Sequence, residues 1–222
     1  MLPQSTYHSK EYRDFRAIEP GDWRGVVRFY EKNEAAIRGL DFEEYFELLL
    51  AYTDALFEIG AWQKHLLMAD VVIEISVMEN LPEFNGREVF RHSLFRKAAS
   101  HFNLLELEQT EHVLRELLRI APHDSDCVAF LQKCLRTMRP WLVRQTRALA
   151  VLLFFVAALG ILLEILVVRN FYEHLTTTAR LAWWGALALG LVVLAGGEVF
   201  HRWRCKREVE VFVEAVRERR RG

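Results

Sequence analysis

The residue types that carry out catalysis occur in this chain, but not at the spacing of a reaction centre. The sequence contains no HExxH, CxxC, GxSxG, GxGxxG or P-loop motif, so zinc hydrolysis, thiol redox chemistry, acyl transfer and nucleotide binding have no local signature. His123-Asp124-Ser125-Asp126 holds the residue types of a catalytic triad, yet adjacent side chains cannot converge on one reacting atom. We therefore predict no catalytic residue, no metal site and no cofactor. An enzyme with an unrecognised site stays an alternative that would require polar groups converging in a pocket.

Charge is unevenly distributed along the 222 residues. Residues 1–135 carry 15 Lys and Arg against 23 Asp and Glu, whereas residues 136–222 carry 14 against 7. An acidic front part and a basic, very apolar rear part indicate two environments. A nucleic-acid-binding domain would need a basic surplus on its folded part, so we predict no nucleic-acid partner.

Two long apolar runs follow Pro140. Residues 148–163 and 181–197 contain no charged residue, and counting on to Val168 and Val199 gives lengths that can cross the hydrocarbon core of a bilayer as helices. The core helix of a soluble protein rarely stays uncharged over such a length. We therefore predict a transmembrane hairpin within residues 140–203, with spans at about 148–168 and 181–199.

Basic residues beside these runs predict the orientation of the hairpin. They lie mainly before the first span and after the second, which places both termini in the cytoplasm by the positive-inside rule. Six of them are expected to contact anionic lipid: Arg144, Arg147, Arg202, Arg204, Lys206 and Arg207. The first twenty residues contain no apolar run typical of a cleavable signal. We expect an integral, two-pass protein, and a bacterial inner membrane is favoured.

Two carboxylates in the predicted spans could bind an ion or relay a proton. Glu164 lies near the outer end of the first predicted span and Glu198 near the inner end of the second, so they are too far apart to exchange a proton. Small residues in both spans favour close helix packing instead, within the hairpin or between subunits. They are Ala157, Ala158, Gly160, Gly185, Gly190, Ala195, Gly196 and Gly197.

Before Pro140 the apolar residues recur at helical spacing, and no segment shows the alternation of a strand. One helix is predicted to begin with a capping box between Asp41 and Glu44 and to end at Gly60. The following helix carries two apolar stripes, which predicts packing on both sides. The stripes are Trp62, Leu66, Ala69 and Ile73, and Leu67, Val71, Ile75 and Met78.

Local signals set the bounds of the remaining helices. Asn85 and Glu88 are expected to cap a third helix, Pro122 to end a fourth, and Asp124 or Ser125 to start a fifth. Residues 204–222 are predicted to form a basic amphipathic helix that continues from the second span. Its apolar stripe is Val209, Phe212, Val213 and Val216.

The helix pairs have an internal similarity. In residues 91–124, Ala98, Leu114 and the closing Pro122 stand at the spacing of a 34-residue helical hairpin, and this segment resembles a tetratricopeptide repeat. Lys97, His101 and Thr110 depart from the pattern. Residues 46–79 are similar to the same repeat, with His65 where alanine is usual. The resemblance implies a stack of antiparallel helix pairs in residues 20–139, following an N-terminal segment of residues 1–19.

The resemblance also implies a concave surface lined by the first helix of each pair. The family's groove positions fall on Glu47, Leu50, Asp54, Phe57 and Glu58 in one repeat, and on His92, Phe95, Ala99, Phe102 and Asn103 in the other. This predicted groove has an acidic and an aromatic end, which suits a partner segment with Lys or Arg and apolar anchors. The alternative is that Phe57, Phe95 and Phe102 are core residues.

Taken together, these observations predict an all-α chain in which a tetratricopeptide-like helix stack precedes a two-helix transmembrane hairpin. The favoured interpretation is a membrane-anchored adaptor or scaffold that binds a protein partner on its cytoplasmic helical surface. The alternative is a small accessory subunit of a membrane transport or secretion complex, in which the spans carry the function. A homo-oligomer is compatible with both interpretations.

Overall fold

The computed structural model of the chain describes residues 9–138, 141–163, 165–166 and 176–221. It confirms the all-α prediction, apart from one very short hairpin. The helices are α1 (Lys10–Arg16), α2 (Trp23–Ile37), α3 (Phe42–Glu58), α4 (Trp62–Met78), α5 (Val89–Asn103), α6 (Leu107–Ile120), α7 (Ser125–Met138), α8 (Trp141–Leu163) and α9 (Thr176–Arg221). Two compact units comprise residues 1–127 and 128–222. The division falls inside α7, earlier than the end of the predicted helical-repeat domain.

The first unit is a stack in which each helix from α1 to α6 packs on the next one along the chain. α3 lies between α2 and α4, and it is buried on more than one side because its apolar residues are not confined to one stripe. Phe46, Leu49 and Leu56 are 0 to 1 % exposed. Tyr30 and Tyr52 stack with ring centroids 4.1 Å apart. The predicted stack of antiparallel helix pairs is therefore present.

The helix ends agree with the sequence signals at some positions only. Gly60 follows the end of α3 with a φ of +78°, a conformation that glycine adopts without strain. The Asp124 Oδ1 accepts hydrogen bonds from the first backbone N–H groups of α7, as predicted. The capping box at α3 is wrong: Asp41 is the N-cap but makes no side-chain cap bond. Glu44 instead accepts a hydrogen bond from the Ser9 backbone N–H, at 3.0 Å.

A two-stranded hairpin, absent from the sequence prediction, separates α4 from α5. β1 (Glu83–Phe84) pairs antiparallel with β2 (Arg87–Glu88). Asn85 and Gly86 join the strands with φ values of +49° and +75°, as in a type I′ turn. The prediction that Asn85 caps α5 is wrong, because Asn85 is held in this turn and Glu88 occupies the N-cap position.

α4 packs between α3 and α5. His65, Ala69 and Val72 are 0 to 1 % exposed, which agrees with packing against the neighbouring helices. The second predicted stripe is not covered at its two ends, since Leu67 and Met78 are 65 % and 75 % exposed. The expectation of packing on both sides is confirmed for Val71 and Ile75, which pack against the core. It is wrong for Leu67 and Met78, because hydropathy at helical spacing does not say how far along a helix its neighbour extends.

In the second unit, α8 packs against α9. Glycines provide the closest approaches: a Cβ atom on Gly160 would lie 2.4 Å from the Trp183 ring, and one on Gly197 would lie 2.4 Å from the Thr146 Oγ1. A Cβ atom on Gly190 would lie 2.7 Å from the Phe154 ring. The prediction of close packing at small residues is thus confirmed for these glycines. Within the hairpin, Gly185 and Gly196 have open space beside them and Ala158 and Ala195 are exposed, so for these four only the predicted packing between subunits is left, and it stays a prediction.

α8 and α9 are long and apolar enough to cross a membrane, over Val143–Leu162 and within Leu181–Arg219. α9 continues to Arg221 without a break, so the tail is a helix, as predicted. Glu198 lies 3.3 Å from Arg147 and 3.1 Å from Arg202, which makes it an ion-pair partner at one end of the hairpin. Glu164 and residues 169–175 of the predicted connection between the spans lie outside the described residues, whereas residues 176–180 of that connection already belong to α9.

Candidate partner-binding cleft

An open cleft of about 800 Å³ lies on the helical unit. Side chains from α1, α2, α3, α5 and the β-hairpin line it: Tyr12, Phe15, Arg16, Trp23, Glu47, Leu50, Ala51, Asp54, Phe84, Asn85, Arg87 and Arg96. Three members of the predicted groove, Glu47, Leu50 and Asp54, are therefore brought together in this cleft. They share one face of α3 because they lie at positions i, i+3 and i+7 of the helix.

The first wall of the cleft is α1, which was not expected to form a helix. The Ser9 side chain caps α1 by accepting a hydrogen bond from the Tyr12 N–H at 3.1 Å. The Tyr12 hydroxyl donates to the Glu47 Oε2 at 2.8 Å, and the Arg16 guanidinium lies 3.0 Å from the Glu47 Oε1. Burial and the hydrogen bond to Glu47 raise the pKa of Tyr12. Glu47 thus attaches α1 to α3.

The second wall is formed by α5 and the β-hairpin, which converge on Asp54. Its Oδ1 lies 3.2 Å from the Arg96 Nη1 and 3.5 Å from the His92 Nε2. Its Oδ2 lies 3.4 Å from the Arg87 Nη1. Burial by itself would raise the pKa of Asp54, but His92, Arg96 and Arg87 outweigh it and hold the pKa below its usual value.

Arg96 joins this cluster to the neighbouring residues of α3. Its Nη2 lies 3.0 Å from the Glu58 Oε1, and its Nη1 donates to the Asp54 backbone carbonyl at 3.4 Å. The guanidinium also lies over the Phe57 ring, 4.7 Å from the centroid, within the range of a cation–π contact. The Arg96 side chain is 21 % exposed, so most of its hydrogen-bonding capacity is directed at its own chain.

The carboxylates of the cleft are therefore paired within the molecule. The predicted acidic end would have presented Glu47, Asp54 and Glu58 to a partner, but each of them contacts an arginine of this chain. The arginine side chains differ in accessibility: Arg16 and Arg87 are 62 % and 73 % exposed. The groups that a ligand in the cleft meets first are these two guanidinium groups and the apolar side chains between them.

The other predicted groove residues do not line the cleft. Phe57 is half-buried and packs edge-on against Trp62 and His65, with ring centroids 5.1 Å and 5.2 Å away. This packing favours the core interpretation of Phe57. Glu58 and His92 lie beside the cleft as partners of Arg96 and Asp54. Phe95, Ala99 and Phe102 are half-buried on α5, and Asn103 is exposed at its end.

A polar pair behind the cleft explains one departure from the repeat pattern. His65 is 1 % exposed, and its Nδ1 lies 2.8 Å from the Ser100 Oγ. Burial, assisted by the positive charge of Arg96, lowers the pKa of His65 to about 4. The ring is neutral at pH 7, so its hydrogen bond joins α4 to α5 without a buried charge.

Sequence reasoning missed the arginines of the cleft. Arg16, Arg87 and Arg96 come from three separate elements, and no periodic pattern marks them. A local signal did exist for Arg87, since Asn85-Gly86 is the dipeptide most typical of a two-residue hairpin turn. That turn brings Arg87 back towards α3.

The six residues predicted to contact lipid lie near the ends of the apolar stretches of the second unit. All of them are exposed: Arg144, Arg147, Arg202, Arg204, Lys206 and Arg207. Arg147 and Arg202 pair with Glu198, and Lys206 lies 3.7 Å from Glu210.

Within the described ranges, no three His, Cys, Asp or Glu side chains are grouped so that they could hold a metal ion. The chain matches no family model, no curated protein and no solved structure. Inference about function therefore depends on the cleft and on the apolar hairpin themselves.

Proposed function

We propose that this protein is a membrane-anchored adaptor that holds a segment of a protein partner in the cleft of its helical unit. The hairpin of α8 and α9 crosses a membrane twice and leaves both termini in the cytoplasm, where a bacterial inner membrane is the favoured setting. The tetratricopeptide-like helix pairs act as the scaffold of the cleft. The observation that carries this proposal is the open cleft itself, with two accessible guanidinium groups beside apolar side chains.

The partner segment is proposed to combine a carboxylate with an apolar anchor. Guanidinium groups bind carboxylates through charge-assisted, often bidentate hydrogen bonds, and Arg16 and Arg87 are the most exposed charged groups of the cleft. Leu50, Ala51 and Phe84 offer apolar surface to an anchor. A Lys or Arg of the partner, as the sequence led us to expect, would have to compete with the arginines that already bind Glu47 and Asp54.

Site-specific crosslinking tests the cleft. A photoreactive phenylalanine analogue at position 50 should form an adduct with one protein in intact cells, because Leu50 lines the cleft. The same analogue at position 67 is the control, since Leu67 is 65 % exposed on a different helix. Equal adduct formation at both positions would contradict binding in the cleft.

Charge variants test the chemistry of recognition. Arg87→Glu should lower the adduct yield at position 50 about tenfold, because one charge-assisted hydrogen bond contributes about 1.5–3 kcal/mol. Arg119→Glu is a matched control, because Arg119 is also exposed and ion-paired, 2.6 Å from Glu116 on α6. An unchanged yield with Arg87→Glu, together with a loss caused by Asp54→Asn, would favour a basic partner instead.

Exchange of the hairpin distinguishes an anchor from a subunit of a transport complex. Gly160 and Gly197 contact the other helix of the same hairpin, which supports a self-contained anchor. Replacing residues 140–203 by an unrelated two-span hairpin should therefore preserve the adduct at position 50. Loss of the adduct in a chain that still sediments with membranes would favour the accessory-subunit alternative.

A further inference from the structure

After the second apolar run, α9 presents a face of mixed aromatic and basic character. Six residues at helical spacing line an open depression of about 440 Å³: Phe200, Trp203, Arg204, Arg207, Glu208 and Val211. The apolar members are accessible, since Phe200 and Trp203 are 54 % and 53 % exposed. We call this surface the Trp203 face.

The Trp203 face points away from the packed side of α9. The buried residues of this part of the helix recur every four positions: His201, Cys205, Val209 and Val213. At about 100° per residue they lie on the opposite side of the helix from Phe200, Arg204 and Val211. The Trp203 face is therefore the outer side of α9.

The two arginines of this face remain available for a ligand. Within the part of the chain that the structure describes, Arg204 forms no ion pair. The Arg207 guanidinium lies over the Trp203 ring, 5.2 Å from its centroid, and this contact leaves its hydrogen-bond donors unused. Residues 201–207 contain four Lys and Arg. Arg202 and Lys206 pair with Glu198 and Glu210, so the attraction for anions comes from Arg204 and Arg207.

The Trp203 face lies close to the end of the apolar run, so the proposed membrane anchoring places it next to the lipid headgroups. The apolar run ends at Val199, and a helix rises about 1.5 Å per residue, so Arg204 and Arg207 lie about 7 Å and 12 Å beyond the hydrocarbon core. The headgroups of a phospholipid leaflet occupy a layer of about 5–8 Å next to the core. Long arginine side chains can turn back towards that layer.

We propose that the Trp203 face binds an anionic phospholipid. Arg204 and Arg207 hold the headgroup phosphate, because a guanidinium group matches phosphate oxygens in a bidentate manner. Trp203 lies at the level of the glycerol ester groups, where its amphipathic ring is favoured. Phe200 contacts the first part of an acyl chain. Selection against a zwitterionic lipid follows from the positive charges of Arg204 and Arg207, for which no ion pair is present among the described residues.

Bromine quenching tests this site in the full-length protein. The chain is reconstituted in phosphatidylcholine vesicles that hold a minor fraction of phosphatidylglycerol with brominated acyl chains. The fluorescence of Trp203 is obtained by subtracting the tryptophan fluorescence of the Trp203→Phe variant from that of the wild type, and its quenching by the brominated lipid is measured. This quenching should exceed the value expected from the bulk lipid fraction, and the R204Q/R207Q variant should reduce this enrichment about 25-fold, since each arginine contributes about fivefold.

The control removes two charges from the helical unit. R38Q/R119Q changes two exposed arginines that are not among the residues expected to contact lipid and should retain the enrichment. Loss of equal size in R38Q/R119Q, or quenching that only follows the bulk fraction, would overturn the site. If neither brominated phosphatidylcholine nor brominated phosphatidylglycerol quenches Trp203, the membrane anchoring itself fails. Quenching in proportion to the bulk fraction of brominated lipid would agree with membrane anchoring and contradict only the lipid site.

Discussion

The buried imidazole of His65 predicts that the helical unit loses stability in mild acid. His65 lies on α4 and is 1 % exposed, and its ring is hydrogen-bonded to the Ser100 hydroxyl of α5. Burial is the main reason that its pKa falls to about 4, and Arg96 adds to the effect. In the unfolded chain the ring is hydrated, and its pKa is about 6.5.

The sign of the effect follows from which state takes up the proton first. Because the pKa is lower in the folded state, protonation favours the unfolded chain as the pH falls below about 6.5. The stabilisation is complete above that pH, and it is lost progressively down to about pH 4. The free energy of unfolding should fall by about 3 kcal/mol over the whole range, and by about 2 kcal/mol between pH 7 and pH 5.

Hydrogen exchange of the full-length protein in a mild detergent measures this loss. Peptides from α4 and α5 report the local free energy of opening at the two pH values, after correction for the intrinsic exchange rates. The His65→Gln variant cannot take up the proton, while its amide can still bond to Ser100. It should therefore be less stable than the wild type at pH 7 but about 2 kcal/mol less sensitive to the change to pH 5.

His112→Gln serves as the matched control, because His112 is an exposed histidine on α6 of the same unit. This variant should keep the full pH dependence of the wild type. If His65→Gln loses stability between pH 7 and pH 5 as steeply as the wild type, protonation of His65 is not the cause of the acid sensitivity. The proposed neutral pair with Ser100 would then be wrong.

Two further predictions concern the capping of α7 and the packing of the hairpin. Asp124→Ala should lower the free energy of unfolding by about 1–2 kcal/mol, because Asp124 accepts hydrogen bonds from two backbone N–H groups at the helix start. Asp124→Ser keeps an accepting oxygen and should recover most of this loss in urea denaturation; no recovery would point to the charge instead. Gly197→Leu should lower the midpoint of an SDS titration followed by tryptophan fluorescence, because its Cβ would lie 2.4 Å from the Thr146 Oγ1. Gly196→Leu, with open space beside it, should leave that midpoint unchanged, and an equal shift in both variants would contradict the observed helix contact.

Local patterns in the sequence were sufficient for most of the helices. The periodic apolar residues of α3 and the glycine at position 60 predicted a buried helix and its end. Asp124 predicted the start of α7, because a capping side chain contacts only the next few backbone groups and is therefore a local signal. The Asn85-Gly86 turn was equally local and could have been predicted, but its strands are only two residues long and show no alternation.

The composition of the cleft could not be predicted in this way. Glu47 contacts Arg16 on α1, and Asp54 contacts Arg87 and Arg96, which lie 33 and 42 residues further along the chain. The sequence showed the carboxylates on one face of α3, but not the arginines that neutralise them. The predicted acidic end is therefore an internally paired cluster.

By itself, the sequence determined where most of the helices form and which two stretches are apolar enough to cross a bilayer, because both properties depend on neighbouring residues and on hydropathy summed over a window. The tertiary structure alone decided which carboxylates are paired, which apolar residues of α4 are left exposed and which glycines lie between α8 and α9. These features depend on contacts between residues distant in sequence. Such contacts form only where packing brings two surfaces within a few ångströms, and helical periodicity does not specify the partner.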